Sequence, residues 1–104
     1  MLYAIIARDV PNSTALRPRV RPRHLAYIQP LVDQGRVIFG GPHPAIDSPD
    51  PGPAGFTGSL IIAEFASLEE AKAFMAKDPY VVEGVFAEVE IGRASCRERV
   101  WIPV

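Results

Sequence analysis

Four arginines at alternate positions, Arg17, Arg19, Arg21 and Arg23, run directly into His24. Guanidinium groups hold anions and an imidazole exchanges protons near neutral pH, so this cluster is suited to holding an anionic or enolic small molecule. Apolar residues follow at Leu25, Ile28, Leu31 and Val32, the three-and-four spacing of a helix laid on a core. Pro22 is placed to open that helix, because a proline at the first helical position forgoes only an N–H that had no partner. The cluster would then stand at a helix N-terminus, where the helix dipole favours negative charge. The same residues also fit a solvated basic helix start that binds nothing, and the spacing does not choose between the two.

Residues 90–100 read as the codon-by-codon translation of a common short-read sequencing adapter, so 91–104 are set apart as a non-native tail and 1–90 as the domain. The single cysteine, Cys96, and the single tryptophan, Trp101, fall in that tail. In residues 1–90, eight basic side chains stand against eleven acidic ones, a net charge of −3 with neutral histidines. That balance argues against a nucleic-acid partner, which needs a basic footprint. Without a cysteine there is no disulfide or thiolate metal site, and His24 and His43 alone make a poor zinc set, so no metal or cofactor is expected. The apolar run from Met1 ends at Arg8 and Asp9, far short of the ~20 residues that span a bilayer, so a cytoplasmic protein without a membrane partner is expected.

The elements that must position the cluster follow from pattern. Leu2 to Ala7 reads as a strand, Pro22 to Gln34 as a helix closed by Gly35, and Arg36 to Gly40 as a second strand. Pro30 should kink the helix. The stretch from Pro42 to Gly58, with five prolines and two aspartates, predicts a long loop or lid. Ser59 to Phe65 is a third strand. Ser67 and Glu70 form a capping box for a second helix that buries Leu68, Ala71, Phe74 and Met75 and stops at Asp78 and Pro79. Val85 to Val89 is the last strand. The order βαββαβ predicts an α+β, ferredoxin-like fold: a four-stranded antiparallel sheet with two helices on one face. Leu2 to Ala7 and Leu60 to Ala63 do not alternate apolar with polar, so both sheet faces should be dry. A homodimer packed through the open sheet faces is the simplest cover.

Val20, Arg21 and Pro22 followed by His24, Leu25 and Ala26, then Gly41 and Pro42, Pro44 and Ala45, and Asp47 and Ser48 carry a family pattern. It continues through Asp50 to Gly52, Gly55 to Ser59, Ala63 to Phe65, and Asp78 to Val81 with Gly84 and Val85. In these motifs, over residues 1 to about 89, the chain resembles the YciI family of YCII-related domains. The resemblance implies a dimeric α/β-barrel with a histidine–aspartate centre, and a chemistry like the dehydrochlorination of a chlorinated hydroxyhydroquinone by one relative.

Carried onto this chain, the histidine is His24, and the aspartate is Asp78 or, second, Asp47. A carboxylate beside an imidazole fixes its tautomer and strengthens it as a base, which suits proton abstraction from a phenol or from carbon next to a carbonyl. Arg17 and Arg21 would hold the oxyanion. Ser59 and Tyr80 would donate hydrogen bonds to a ligand, with a strand-start serine and a core aromatic as the plainer alternatives. Asp78 at the end of the second helix sits where the dipole disfavours its charge. The expected topology also puts His24 and Asp78 at opposite sheet edges, so a site shared across a dimer is one way to join them. Two functions stay open: a small cofactor-independent lyase or isomerase, and a non-catalytic ligand-binding or accessory dimeric domain.

Overall fold

The computed structural model describes residues 1–94, so Cys96, Trp101 and most of the adapter-like segment lie outside the described residues. Four antiparallel strands form one sheet in the order β2-β3-β1-β4, with β1 Leu2–Asp9, β2 Val37–Pro44, β3 Phe56–Glu64 and β4 Phe86–Ala94. Helices α1 (Leu16–Asp33), α2 (Leu68–Ala76) and the one-turn α3 (Pro79–Val82) complete the ferredoxin-like α+β arrangement. Tyr3, Ile5 and Ala7 of β1 and Ile61 and Ala63 of β3 point into the core, because residues two apart share a face. The opposite face carries Ala4, Ile6, Leu60 and Ile62, apolar yet only half-buried or exposed.

Three expectations need correction. The first helix begins at Leu16, not Pro22. Pro18, rather than Pro22, stands in its first turn, and Pro22 and Pro30 lie inside the helix. Both prolines are on the exposed side, where the carbonyls they leave unpaired face solvent rather than the core. The predicted loop from Pro42 to Gly58 shrinks to residues 45–55, with a 3₁₀ turn at Gly52–Ala54. Pro42 and Pro44 belong to β2, which tolerates them because it is an edge strand with unpaired N–H positions. The last strand runs on to Ala94, since ladder bonds to β1 require no particular side chain and Ile91 falls opposite Ile5.

The capping box forms as expected. Ser67 Oγ accepts the Glu70 N–H at 3.1 Å and Glu70 Oε2 accepts the Ala66 N–H at 2.6 Å. In α2, Ala71 and Met75 are buried and Leu68 and Phe74 pack against the same core. In α1, Ile28 and Leu31 are buried, but Leu25 and Val32 are exposed. No helix among the described residues is long and apolar enough to cross a membrane.

Candidate active site

One face of α1 carries Arg17, Arg21, His24, Ile28 and Val32 at three-and-four spacing, and it overhangs the β2–β3 side of the sheet. Between helix and sheet lies a cavity of about 510 Å³. Its polar end is made by Arg17, Arg21, His24, Ser59 and Tyr80. The arginines at alternate positions therefore do not act together: Arg19 and Arg23 point elsewhere, and Arg23 makes an exposed pair with Glu83 at 2.9 Å.

His24 and Asp78 meet within one chain. Nδ1 of His24 is 2.8 and 3.0 Å from the two Asp78 oxygens, and Asp78 is wholly buried. The expected separation at opposite edges fails because His24 sits mid-way along α1 rather than in its first turn. The dipole argument against Asp78 fails too. It ends α2, but it is also the N-cap of α3, where its Oδ1 accepts the Tyr80 N–H at 2.9 Å. Pro79 at the start of α3 fixes the turn that brings the Tyr80 ring flat against the imidazole, with centroids 4.1 Å apart and planes 13° apart.

A carboxylate that already accepts a backbone N–H is an acceptor toward Nδ1 as well, so Nδ1 carries the imidazole proton and Nε2 carries the lone pair. No hydrogen bond among the described residues occupies Nε2. Burial raises the Tyr80 hydroxyl above its ordinary value. Arg17 and Arg21 pull it back, while Asp78 and Asp9 push it further up. The hydroxyl thus stays protonated at neutral pH and can donate to an oxyanion.

Arg17 is buried and committed elsewhere. Its Nη1 donates to both Asp9 oxygens at 2.8 and 2.9 Å, and its Nη2 donates to Ser59 Oγ at 2.5 Å. Its guanidinium also lies 4.9 Å from the Tyr80 ring centroid, within cation–π range. Ser13 Oγ donates to Asp9 at 2.7 Å and completes the network. Sequence reasoning overlooked Asp9 and Ser13, although Asp9, Ser13 and Arg17 recur at intervals of four just before and inside the helix. Arg21, by contrast, makes no ion pair among the described residues and lines the cavity. Asp47 is exposed on the 45–55 loop, in a shallow depression with Pro44, Ile46 and Ser48, and is not brought to His24. His43 is likewise exposed, on β2. No group of three or more histidine, cysteine or acidic side chains that could hold a metal occurs among the described residues.

The YCII-related domain model matches residues 1–95. Protein YciI of Escherichia coli O6:H1 is 55% identical over 91 residues, 88% of this chain and 93% of that protein. An uncharacterised protein of Haemophilus influenzae is 48% identical over 89 residues, 86% of this chain and 91% of its own length. Among solved structures, 5-chloro-2-hydroxyhydroquinone dehydrochlorinase from Burkholderia phenoliruptrix, in complex with 2,5-dihydroxybenzoquinone, superposes with a TM-score of 0.81. It is 32% identical, with 91% of this chain and 94% of that chain covered.

Proposed function

The chain belongs to the YCII-related domain family, and from that premise we propose that it is a cofactor-independent lyase or isomerase acting on a small aromatic or enolic metabolite, with His24 as general base. The observation that carries this reading is the His24–Asp78 pair on the wall of a cavity large enough for a small ligand. Nε2 takes a proton from a phenolic or enolic hydroxyl, or from carbon beside a carbonyl, while Asp78 holds the imidazolium in place. The negative charge that develops on oxygen is met by Arg21 and by the Tyr80 hydroxyl. The proton is then returned to ring carbon, which alone completes an isomerisation. Where that carbon bears chlorine, it becomes saturated, and deprotonation of a second conjugated hydroxyl expels chloride and leaves the quinone. Either outcome is redox-neutral and needs no electron acceptor. Resemblance to the dehydrochlorinase supports a hydroxylated ring as substrate.

The reading is tested by mixing the protein with 5-chloro-2-hydroxyhydroquinone and following chloride release, beside calorimetric titration with 2,5-dihydroxybenzoquinone. Turnover that falls at least about a hundredfold in His24→Gln supports a general base. Binding of the quinone without turnover would instead favour a ligand-binding module, and an active His24→Gln protein would sink the mechanism.

The assembly we infer is a homodimer through the open sheet faces. Ile6 and Phe39, 40% and 51% exposed on that face, support it together with Ala4, Leu60 and Ile62. Ile6→Asp should then convert a dimer to a monomer in sedimentation, and a wild-type monomer would refute the assignment.

A further inference from the structure

We propose that the cavity takes a head-and-tail substrate, with an anionic or enolic head at Arg21, His24 and Tyr80 and an aliphatic tail running toward Val32. This rests on the reading of His24 as the base and adds the shape of the molecule it acts on. The wall and the floor of the cavity are graded in the same direction. On α1 the lining changes from Arg21 and His24 to Ile28 and Val32, and the eight residues from His24 to Val32 rise about 12 Å. On the floor the lining runs from Ser59 opposite Pro42, through Ile61 opposite Gly40, to the side chain of Val37, whose ladder partner Ala63 is fully buried.

A single hydroxylated ring beside His24 leaves the far half empty, and that half is lined by carbon. Val32, 47% exposed, offers apolar surface there that the fold itself does not cover. The floor is also kept open at Gly40. Paired with Ile61, it faces the cavity, and a Cβ there would meet Val37 Cγ1 at 3.7 Å, an ordinary contact. The strand would accept a side chain, so its absence serves the space above rather than the backbone. At the head, Arg21 supplies one uncompensated positive charge, which fits one negative charge on the ligand.

The test is calorimetric titration of the full chain with 2,5-dihydroxybenzoquinone and its 3-propyl and 3-hexyl derivatives. Affinity should rise by about three- to fourfold per methylene that enters the groove. In Gly40→Val and in Val32→Asp the readout is that slope rather than the absolute affinity, and it should collapse in both. Gly40→Val should fold at least as stably as the wild type, because valine suits a strand better than glycine. A flat series in the wild type, no binding of the hexyl compound, or an undiminished slope in both variants would overturn the proposal. So would loss of a wild-type self-association in Val32→Asp, which would assign the groove to a second copy of the chain. A steep slope without any turnover would leave the tail groove standing and remove the base. A flat slope with chloride release intact would do the reverse.

Discussion

Cutting one end of the Asp9–Arg17 pair should destabilise the protein far more than replacing both. The pair is bidentate at 2.8 and 2.9 Å, with side chains only 9% and 2% exposed, so neither charge is hydrated if its partner goes. Arg17→Met keeps the stem and removes the guanidinium, leaving Asp9 with the Ser13 hydroxyl alone. Removing one partner of such a buried pair costs about 3–5 kcal/mol. For a domain whose total stability is of order 5–15 kcal/mol, that is a large part of the whole. With m near 2 kcal/mol per molar, the urea midpoint should fall by roughly 2 M. Asp9→Leu should cost about the same, because it strands the arginine. The double variant Asp9→Leu/Arg17→Met replaces the pair by carbon and should lie within about 1 kcal/mol of wild type. Urea unfolding followed by far-ultraviolet circular dichroism measures all four proteins. Additive single effects, or an Arg17→Met penalty below about 1 kcal/mol, would refute the assignment of Arg17 to a buried structural pair. Quinone binding by the double variant then separates the two roles considered for Arg17. Retained binding makes Arg17 a structural partner of Asp9 alone, whereas lost binding in a stable protein gives it a part in the site, as a ligand contact or as the support of Ser59 and Tyr80.

Asp78→Asn keeps an N-cap for α3 but offers Nδ1 a donor as easily as an acceptor, so it should cut turnover about 10²- to 10⁴-fold through the wrong imidazole tautomer. Nitrogen NMR of His24 reads the tautomer directly, and unchanged turnover would count against His24 as the base. Burial first, and the Asp78 charge second, raise the Tyr27 hydroxyl above its ordinary 10.0, and burial likewise raises Tyr80. Above pH 10 the unfolded chain sheds these protons first, so stability should hold below that pH and decline as pH rises through the folded values. Tyr80→Phe should flatten that decline, as followed by urea midpoints across the alkaline range, and an identical profile would contradict it. Gly58→Ala should destabilise by about 1–3 kcal/mol, since its Cβ would collide with the Ala7 carbonyl oxygen across the β1–β3 ladder. A thermal midpoint unchanged from wild type would show that the ladder yields.

Period and capping made most of the fold legible. The unbroken apolar run at the start, the Ser67–Glu70 box and the glycine at position 35 each act within a few residues, and each element they imply is present. What misled was chemistry whose meaning depends on distant neighbours. Pro42 and Pro44 are loop signals by composition but edge-strand residues once β2 is known to be outermost. Asp9 looks like the polar end of a strand, and only the turn around Asn12, at φ 61°, brings Arg17 back onto it. The His24 and Asp78 choice was legible from the family motifs. Their contact was not, because it depends on where α1 begins.

That single boundary decides the site. Were Pro22 the first helical residue, His24 would sit in a terminal turn with few neighbours, and any carboxylate would have to come from afar. With the helix begun at Leu16, His24 has a turn of helix on either side, and 54 residues later the chain supplies three constraints in succession. Asp78 bonds Nδ1 and so selects the proton-bearing nitrogen. Pro79 starts α3 with its φ already set, and the cap at the Tyr80 N–H keeps Asp78 from turning away. Tyr80 stacks on the imidazole and blocks rotation of the ring. A hydrogen bond in the ring plane and a stacked aromatic across it leave the imidazole one orientation, with Nε2 as its free nitrogen on a cavity wall. Such preorganisation is what a general base requires and a packed core histidine does not, since a core histidine would have both nitrogens satisfied by protein.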